Sequence, residues 1–334
     1  MALRALQGFF ESNISPGFLH ITGVWYRTEE HSNRSLFWQS SEGFFCIVCN
    51  LILYAIARHV EAHGVAAFFL LGCPHEVRWL SEDEKRMASA RTLDNQVGQD
   101  TTGKEWSWPQ VIEAFKDPQL YFSFANSFLG NIPNGQVNTH LPRGAVYQLI
   151  LAAYVVSFLI VGLYTRKVKN QRMWVMVACC ILPFIGLLVM SLLPNTPQYK
   201  WVKWGMFMMT VVFSMAIFLG WSLIPSNVAG KTKRSVVSAM TLIAYCAGNM
   251  AGAQVFKTKD APRYVSGTIA CSVCFALEVI VILAWRGWYM WENRRRERVV
   301  QSMGISKEEQ ERRGREFGAQ DVTDMNNVYF RYTM

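Results

Sequence analysis

MWVMVACCILPFIGLLVMSLL, residues Met173 to Leu193, runs for 21 residues without a charge. As an α-helix it spans about 30 Å, the thickness of a bilayer's hydrocarbon core. Four further runs share its length: Ala145 to Tyr164, Trp204 to Pro225, Val236 to Phe256 and Val265 to Trp285, and only the last holds a charge, Glu278. A soluble protein also buries apolar helices, but five in succession joined by short loops would leave nothing polar to cover them. The pattern predicts an all-α polytopic membrane protein.

Composition agrees. The 334 residues are 51% hydrophobic and 17% charged, with 12 Trp and 21 Phe, whereas soluble chains carry about 25% charge. The net charge of +9 is not gathered on one polar module, which argues against nucleic acid as a partner. The cations fall between the runs instead. RKVKNQR (Arg166 to Arg172), KTKR (Lys231 to Arg234) and the tail from Arg294 are denser than the alternate loops with Lys200, Lys203, Lys257, Lys259 and Arg263. The positive-inside rule puts the denser set, and the C-terminus, in the cytoplasm.

The first half is less regular. Ala2 to Tyr26 is a plausible span bearing Arg4 and Glu11, Phe44 to Ala57 has 14 residues, and VAAFFLLGC (Val65 to Cys73) has nine, too few to cross a bilayer as a helix. Polar sequence follows from Pro74 to Pro118. A short apolar piece, Leu120 to Ile132, continues through Pro133 and breaks off at His140. Glu292 to Arg315 reads as a solvated juxtamembrane helix with a polar end.

Chemistry is sparse. The eight cysteines lie in or beside apolar segments, so Cys46/Cys49 and Cys271/Cys274 read as helix residues without metal or redox chemistry. HExxH and GxSxG motifs are lacking and the six His are scattered, so neither an enzyme nor a bound cofactor or metal is expected. The sequons at Asn13 and Asn33 are discounted as non-lumenal, and the first apolar stretch, with Glu11 and Pro16, does not read as a cleavable signal peptide. Arg4 and Glu11, seven residues apart, share one helix face. An intramembrane charge costs about 2.5 to 3.5 kcal/mol, which makes the pair a functional candidate; the competing reading is a snorkelling Arg4 paired with Glu11. Asn131, Asn134, Trp221, Asn227, Tyr245 and Asn249 are cavity-lining candidates, against interhelical hydrogen bonding as the plain alternative. Pro133 and Pro225 free backbone carbonyls beside them. Glu278 is expected to face another helix, and Gly248-x-x-x-Gly252 to serve packing.

Seven blocks together resemble the fungal allantoate permease branch of the anion:cation symporter family, within the major facilitator superfamily. They are LQGFFESNISPGFLHITGVWYRTEE (Leu6 to Glu30), RWLSEDEKRMASAR (Arg78 to Arg91), DPQLYFSFANSFLGNIPNG (Asp117 to Gly135), LPRGAV (Leu141 to Val146), SNVAGKTKRS (Ser226 to Ser235), NMAGAQVF with DAPRY (Asn249 to Tyr264), and DVTDMNNVYFRY (Asp321 to Tyr332). The resemblance implies a twelve-helix plan from which this chain lacks the first three helices, with a reduced sixth and an incomplete seventh. It divides the chain into a remnant of the N-terminal half (1–73), a cytoplasmic middle loop (74–118), a C-terminal six-helix half (119–291) and a cytoplasmic tail (292–334). One departure stands out: after Gly162 the family's acidic position holds Arg166.

The implied activity is secondary, proton-coupled transport of a small organic anion, allantoate-, nicotinate- or pantothenate-like, at the plasma membrane in preference to an internal one. Arg4 would attract the anion and Glu11 carry the proton. The alternatives are a truncated, non-transporting membrane protein or a carrier of a fungal secondary metabolite. Solute, protons and lipid are the expected partners, with self-association through exposed helix faces.

Overall fold

The computed structural model describes residues 30–37, 40–41, 106–134, 145–168, 170–194, 196–210, 212–255, 265–304 and 307–334. Arg4, Glu11, the nine-residue run 65–73 and the junction at 140–141 lie outside the described residues. Those described are helical, without strands: α1 (Trp108–Lys116), α2 (Pro118–Asn131), α3 (Ala145–Lys167), α4 (Arg172–Leu192), α5 (Lys200–Thr210), α6 (Phe213–Asn227), α7 (Lys231–Val255), α8 (Val265–Ser302) and α9 (Lys307–Ala319). Among them four helices are long and apolar enough to cross a membrane: Arg172–Leu192, Trp201–Asn227 (α5 with α6), Lys231–Gly252 and Val265–Ser302. The 23-residue α3 covers the remaining predicted run.

The packing places α6 at the centre. Every residue of Phe213–Asn227 except Phe218 is buried, as expected for a helix apolar all round. It lies against α4 and α2, while α8 lies against α4 and α2, and α7 crosses α2. The outer helices keep two apolar faces. On α8, Ile269, Val273, Leu277 and Ile280 are exposed, and Cys271, Phe275, Glu278, Ile282 and Trp285 are buried. Both stripes step by three and four residues, one for lipid and one for the bundle. The core gathers Phe158 from α3, Met176 and Cys180 from α4, Met215 and Leu219 from α6, and Ile282 and Trp285 from α8.

The α2–α7 crossing is the closest of these packings. A Cβ at Gly252 would overlap the Ile132 carbonyl oxygen, and one at Gly248 would lie 2.5 Å from the Phe128 carbonyl oxygen. The Gly-x-x-x-Gly spacing therefore serves helix packing, as expected.

Two element boundaries differ from the sequence reading. KTKR, read as a loop, forms the first turn of α7. Cations at a helix N-terminus oppose the helix dipole, so the turn needs acceptors from elsewhere. Asp321 Oδ1 accepts from Lys231 N (2.9 Å), and Gln110 Oε1 accepts from Thr232 N (3.1 Å) and Lys233 N (3.3 Å). Gly230 enters this turn at φ +96, a left-handed conformation that favours glycine. At the other end α8 continues unbroken past residue 291 to Ser302, and its bundle-facing stripe continues through the buried Glu292, Arg296 and Val300. Beyond α9, residues 321–334 fold back on the bundle, with Asp324, Phe330 and Tyr332 buried.

Candidate functional site

Five of the six cavity candidates meet where α2, α6 and α7 face one another. Asn131 donates to the Ser127 carbonyl (2.7 Å) and accepts from Asn249 (3.3 Å), which also donates to the Tyr245 carbonyl (3.0 Å). Asn134 donates to Asn249 Oδ1 (2.7 Å). One turn back on α2, Ser127 Oγ accepts from the Trp221 indole (2.9 Å), and the Tyr245 ring meets the Trp221 ring edge-on at 5.5 Å. Ser123 and Thr241 share a further bond of 2.8 Å. Hydroxyls, amides and an indole thus form a ladder of groups able to exchange bonds with a polar solute, in apolar surroundings where each bond otherwise stays internal.

Asn227 stands apart. Its amide donates to the Thr333 carbonyl (2.8 Å) and its oxygen accepts from Thr333 N (2.8 Å), so it fastens the tail. Sequence reading missed Ser123, Ser127 and Thr241, because one hydroxyl in an apolar run carries no periodic mark.

A second polar assembly lies at the bundle end where α6 finishes and α7 starts. The fully buried Lys233 Nζ sits 2.6 Å from Asp117, 2.8 Å from Asp324 and 3.1 Å from Glu113. Gln119 Nε2 donates to Asp117 (3.0 Å) and Asp324 (2.9 Å), while its Oε1 accepts from the Tyr289 hydroxyl (2.8 Å). Tyr332 donates to Asp324 (2.7 Å) and accepts from Arg296 (2.9 Å), whose Nε reaches Glu292 (3.0 Å). The tail thereby ties α1, α2, α7 and α8 together. Asp117 also starts α2, its Oδ1 accepting from Gln119 N at 2.9 Å.

One ammonium facing three carboxylates is short of positive charge. Burial raises the Asp117 carboxyl above the ordinary carboxylate range, and the Asp324 charge raises it further, against the downward pull of Lys233. Burial and Asp324 likewise push the Tyr332 phenol well above its usual value. A carboxyl raised on folding holds its proton more tightly folded than unfolded. Its stabilising contribution is full on the acid side and is lost as pH rises through the folded value. The melting temperature in detergent should therefore fall as pH rises above the ordinary carboxylate range, and Asp117→Asn should flatten that slope. An unchanged slope in Asp117→Asn would place the titration elsewhere.

The family model described as Major Facilitator Superfamily matches residues 1–253, more than half of the chain. The chain belongs to the Major Facilitator Superfamily. Among curated superfamily relatives, an uncharacterized transporter of Schizosaccharomyces pombe is 31% identical over 99% of this chain and 67% of its own length. The allantoate permease of Saccharomyces cerevisiae is 27% identical over 100% of this chain and 67% of its own. A thiamine pathway transporter of the same yeast is 24% identical over 99% of this chain and 67% of its own. This superfamily member therefore spans about two thirds of the length of these relatives. No solved structure matches it.

The expected family and all-helical membrane fold are borne out, and the function is that of a secondary transporter of small solutes. Membership of a transporter family goes with transport of a solute in a lipid bilayer and not with catalysis.

Proposed function

We propose that the protein carries a small organic anion, allantoate-like in its polar groups, across the plasma membrane together with a proton. The observation that carries this reading is the convergence of Asn131, Asn134, Trp221, Tyr245 and Asn249 between helices of one half of a superfamily fold, whose solute sites lie near the bilayer midplane. The similarity to a protein named allantoate permease favours a solute rich in amide and carboxylate groups. In this reading Arg4 supplies the positive charge for the carboxylate and Glu11, seven residues further along the sequence, a proton site. A cytoplasmic tail belongs to the same reading and is supported by the concentration of Arg166, Lys167, Arg172, Lys231 and Arg294 where α3 ends, α4 and α7 start and α8 leaves its apolar stretch. Self-association through the apolar outer faces of α4 and α8 fits the same arrangement.

The test is uptake of labelled allantoate and nicotinate by the 334-residue chain in liposomes under an imposed pH gradient. Saturable uptake driven by outside acid is expected. Asn249→Ala should raise KM about fivefold, the worth of one hydrogen bond near 1 kcal/mol. Uptake of neither anion at any pH gradient, from correctly folded protein, would overturn the anion assignment.

A further inference from the structure

Glu278 lies on the bundle face of α8, fully buried, and among the described residues its carboxyl meets no nitrogen or oxygen donor and only the weak Cys180 thiol of α4. It is wedged against α2 at Gly130, where an added Cβ would come within 2.9 Å of its Oε1 and 2.7 Å of Ile217 on α6. Glycine at 130 is what lets the carboxyl in. One turn along α2, Asn126 is also buried, beside Gly220 of α6, and among the described residues neither its amide atoms nor the Ser214 hydroxyl has a partner. The titratable groups facing Glu278 are the thiols of Cys179 and Cys180 on α4 and of Cys274 on its own helix. The described residues of α2, α6 and α7 bring no titratable group to it. Arg286, eight residues on, lies over the Trp174 ring, 4.8 Å from its centroid. No cation among the described residues pairs with Glu278.

A bare carboxylate in such a place is prohibitively costly, and a charge buried without a partner takes or gives a proton instead. We propose that Glu278 is a proton-binding site, occupied in the packed arrangement seen here and emptied when α8 parts from α2 and α6. The reaction is a plain dissociation. Water reaching the opened seam takes the proton, the electron pair stays on the carboxylate, and Asn126 and Ser214 become available to solvate the charge. Re-closure demands that the proton return first. This ties one packing state to one protonation state, which is what coupling a proton to alternating access needs; only that last step rests on the proposed transport.

Infrared difference spectra of the full chain in lipid vesicles, titrated with pH, test the site without any solute. The wild type should show the carbonyl stretch of a protonated carboxyl in apolar surroundings at neutral pH, absent from Glu278→Gln and displaced in frequency in Glu278→Asp. A carboxylate stretch at neutral pH that disappears in Glu278→Gln would overturn the proposal, as would wild-type and variant spectra that coincide. Where the wild type takes up a solute, Glu278→Gln should reduce the dependence of uptake on outside pH about tenfold. An unaltered pH profile beside the expected infrared band would remove the coupling role alone. Absence of uptake by the wild type would count against the transport reading, while the infrared band would still decide whether Glu278 holds a proton.

Discussion

Lys233→Met should leave little folded protein in the membrane. The ammonium is fully buried and touches Asp117, Asp324 and Glu113, of which the first two are also wholly buried. Replacing a buried ion cluster by apolar side chains can be neutral, but removing only its cation strands carboxylates without compensation, at about 3–5 kcal/mol. That is a large share of the roughly 5–15 kcal/mol that holds a typical domain folded. The same change weakens the tail, because Asp324 also receives Ala229 N at 3.2 Å and the Tyr332 hydroxyl at 2.7 Å. Adding Asp324→Asn to Lys233→Met should restore part of the loss, since one stranded charge is then gone. Melting temperatures and yields of detergent-solubilised protein give the comparison. A single variant as stable as the wild type would mean that the clamp carries no net energy.

Gly252→Val should be nearly as damaging, through shape alone. The backbones of α7 and α2 touch there, and the first side-chain carbon would overlap the Ile132 carbonyl oxygen. Overpacking of this kind costs about 1–3 kcal/mol when side chains can give way, and a backbone carbonyl gives way less readily. The displacement would also separate Asn249 from Asn131 and Asn134, whose bonds lie a turn or less away. Loss of both thermal stability and uptake is expected. Gly205→Ala is the control, because nothing lies within 4 Å of a Cβ there. Equal behaviour of the two variants would dissolve the assigned role of the close crossing.

Residues Met173 to Leu193 could be read at sight and became Arg172–Leu192, because a charge-free run of that length has one way to satisfy its backbone in lipid. The KTKR turn could not. Its partners Glu113, Asp117 and Asp324 are about 90 to 120 residues distant in the chain, and local rules see only the cations. The same distance hides the tail: DVTDMNNVYFRY looks polar, yet its Tyr and Asp side chains are what the bundle end is built around. Of the polar candidates, those on the inward faces of α2 and α7 converge because the Gly248–Gly252 crossing sets those helices in register. Asn227 does not join them, since it stands at the end of α6, where its amide pairs with the Thr333 backbone.

Helix α8, with 38 residues, is about 57 Å long, nearly twice the thickness of a hydrocarbon core. It holds no proline, and past its first turn its one glycine is Gly287, which has open space around it. Glu278 lies on one side of that glycine and the Glu292–Arg296 pair on the other. The helix is therefore a rod with a single soft joint between a membrane-embedded handle and the clamp. A tilt of about 10° at one end carries the other through roughly 10 Å along a rod of this length, a travel that spin labels at the exposed Leu277 and Val299 could follow. Stiffening the joint with Gly287→Ala, for which there is room, would show whether the two ends move as one piece or bend apart.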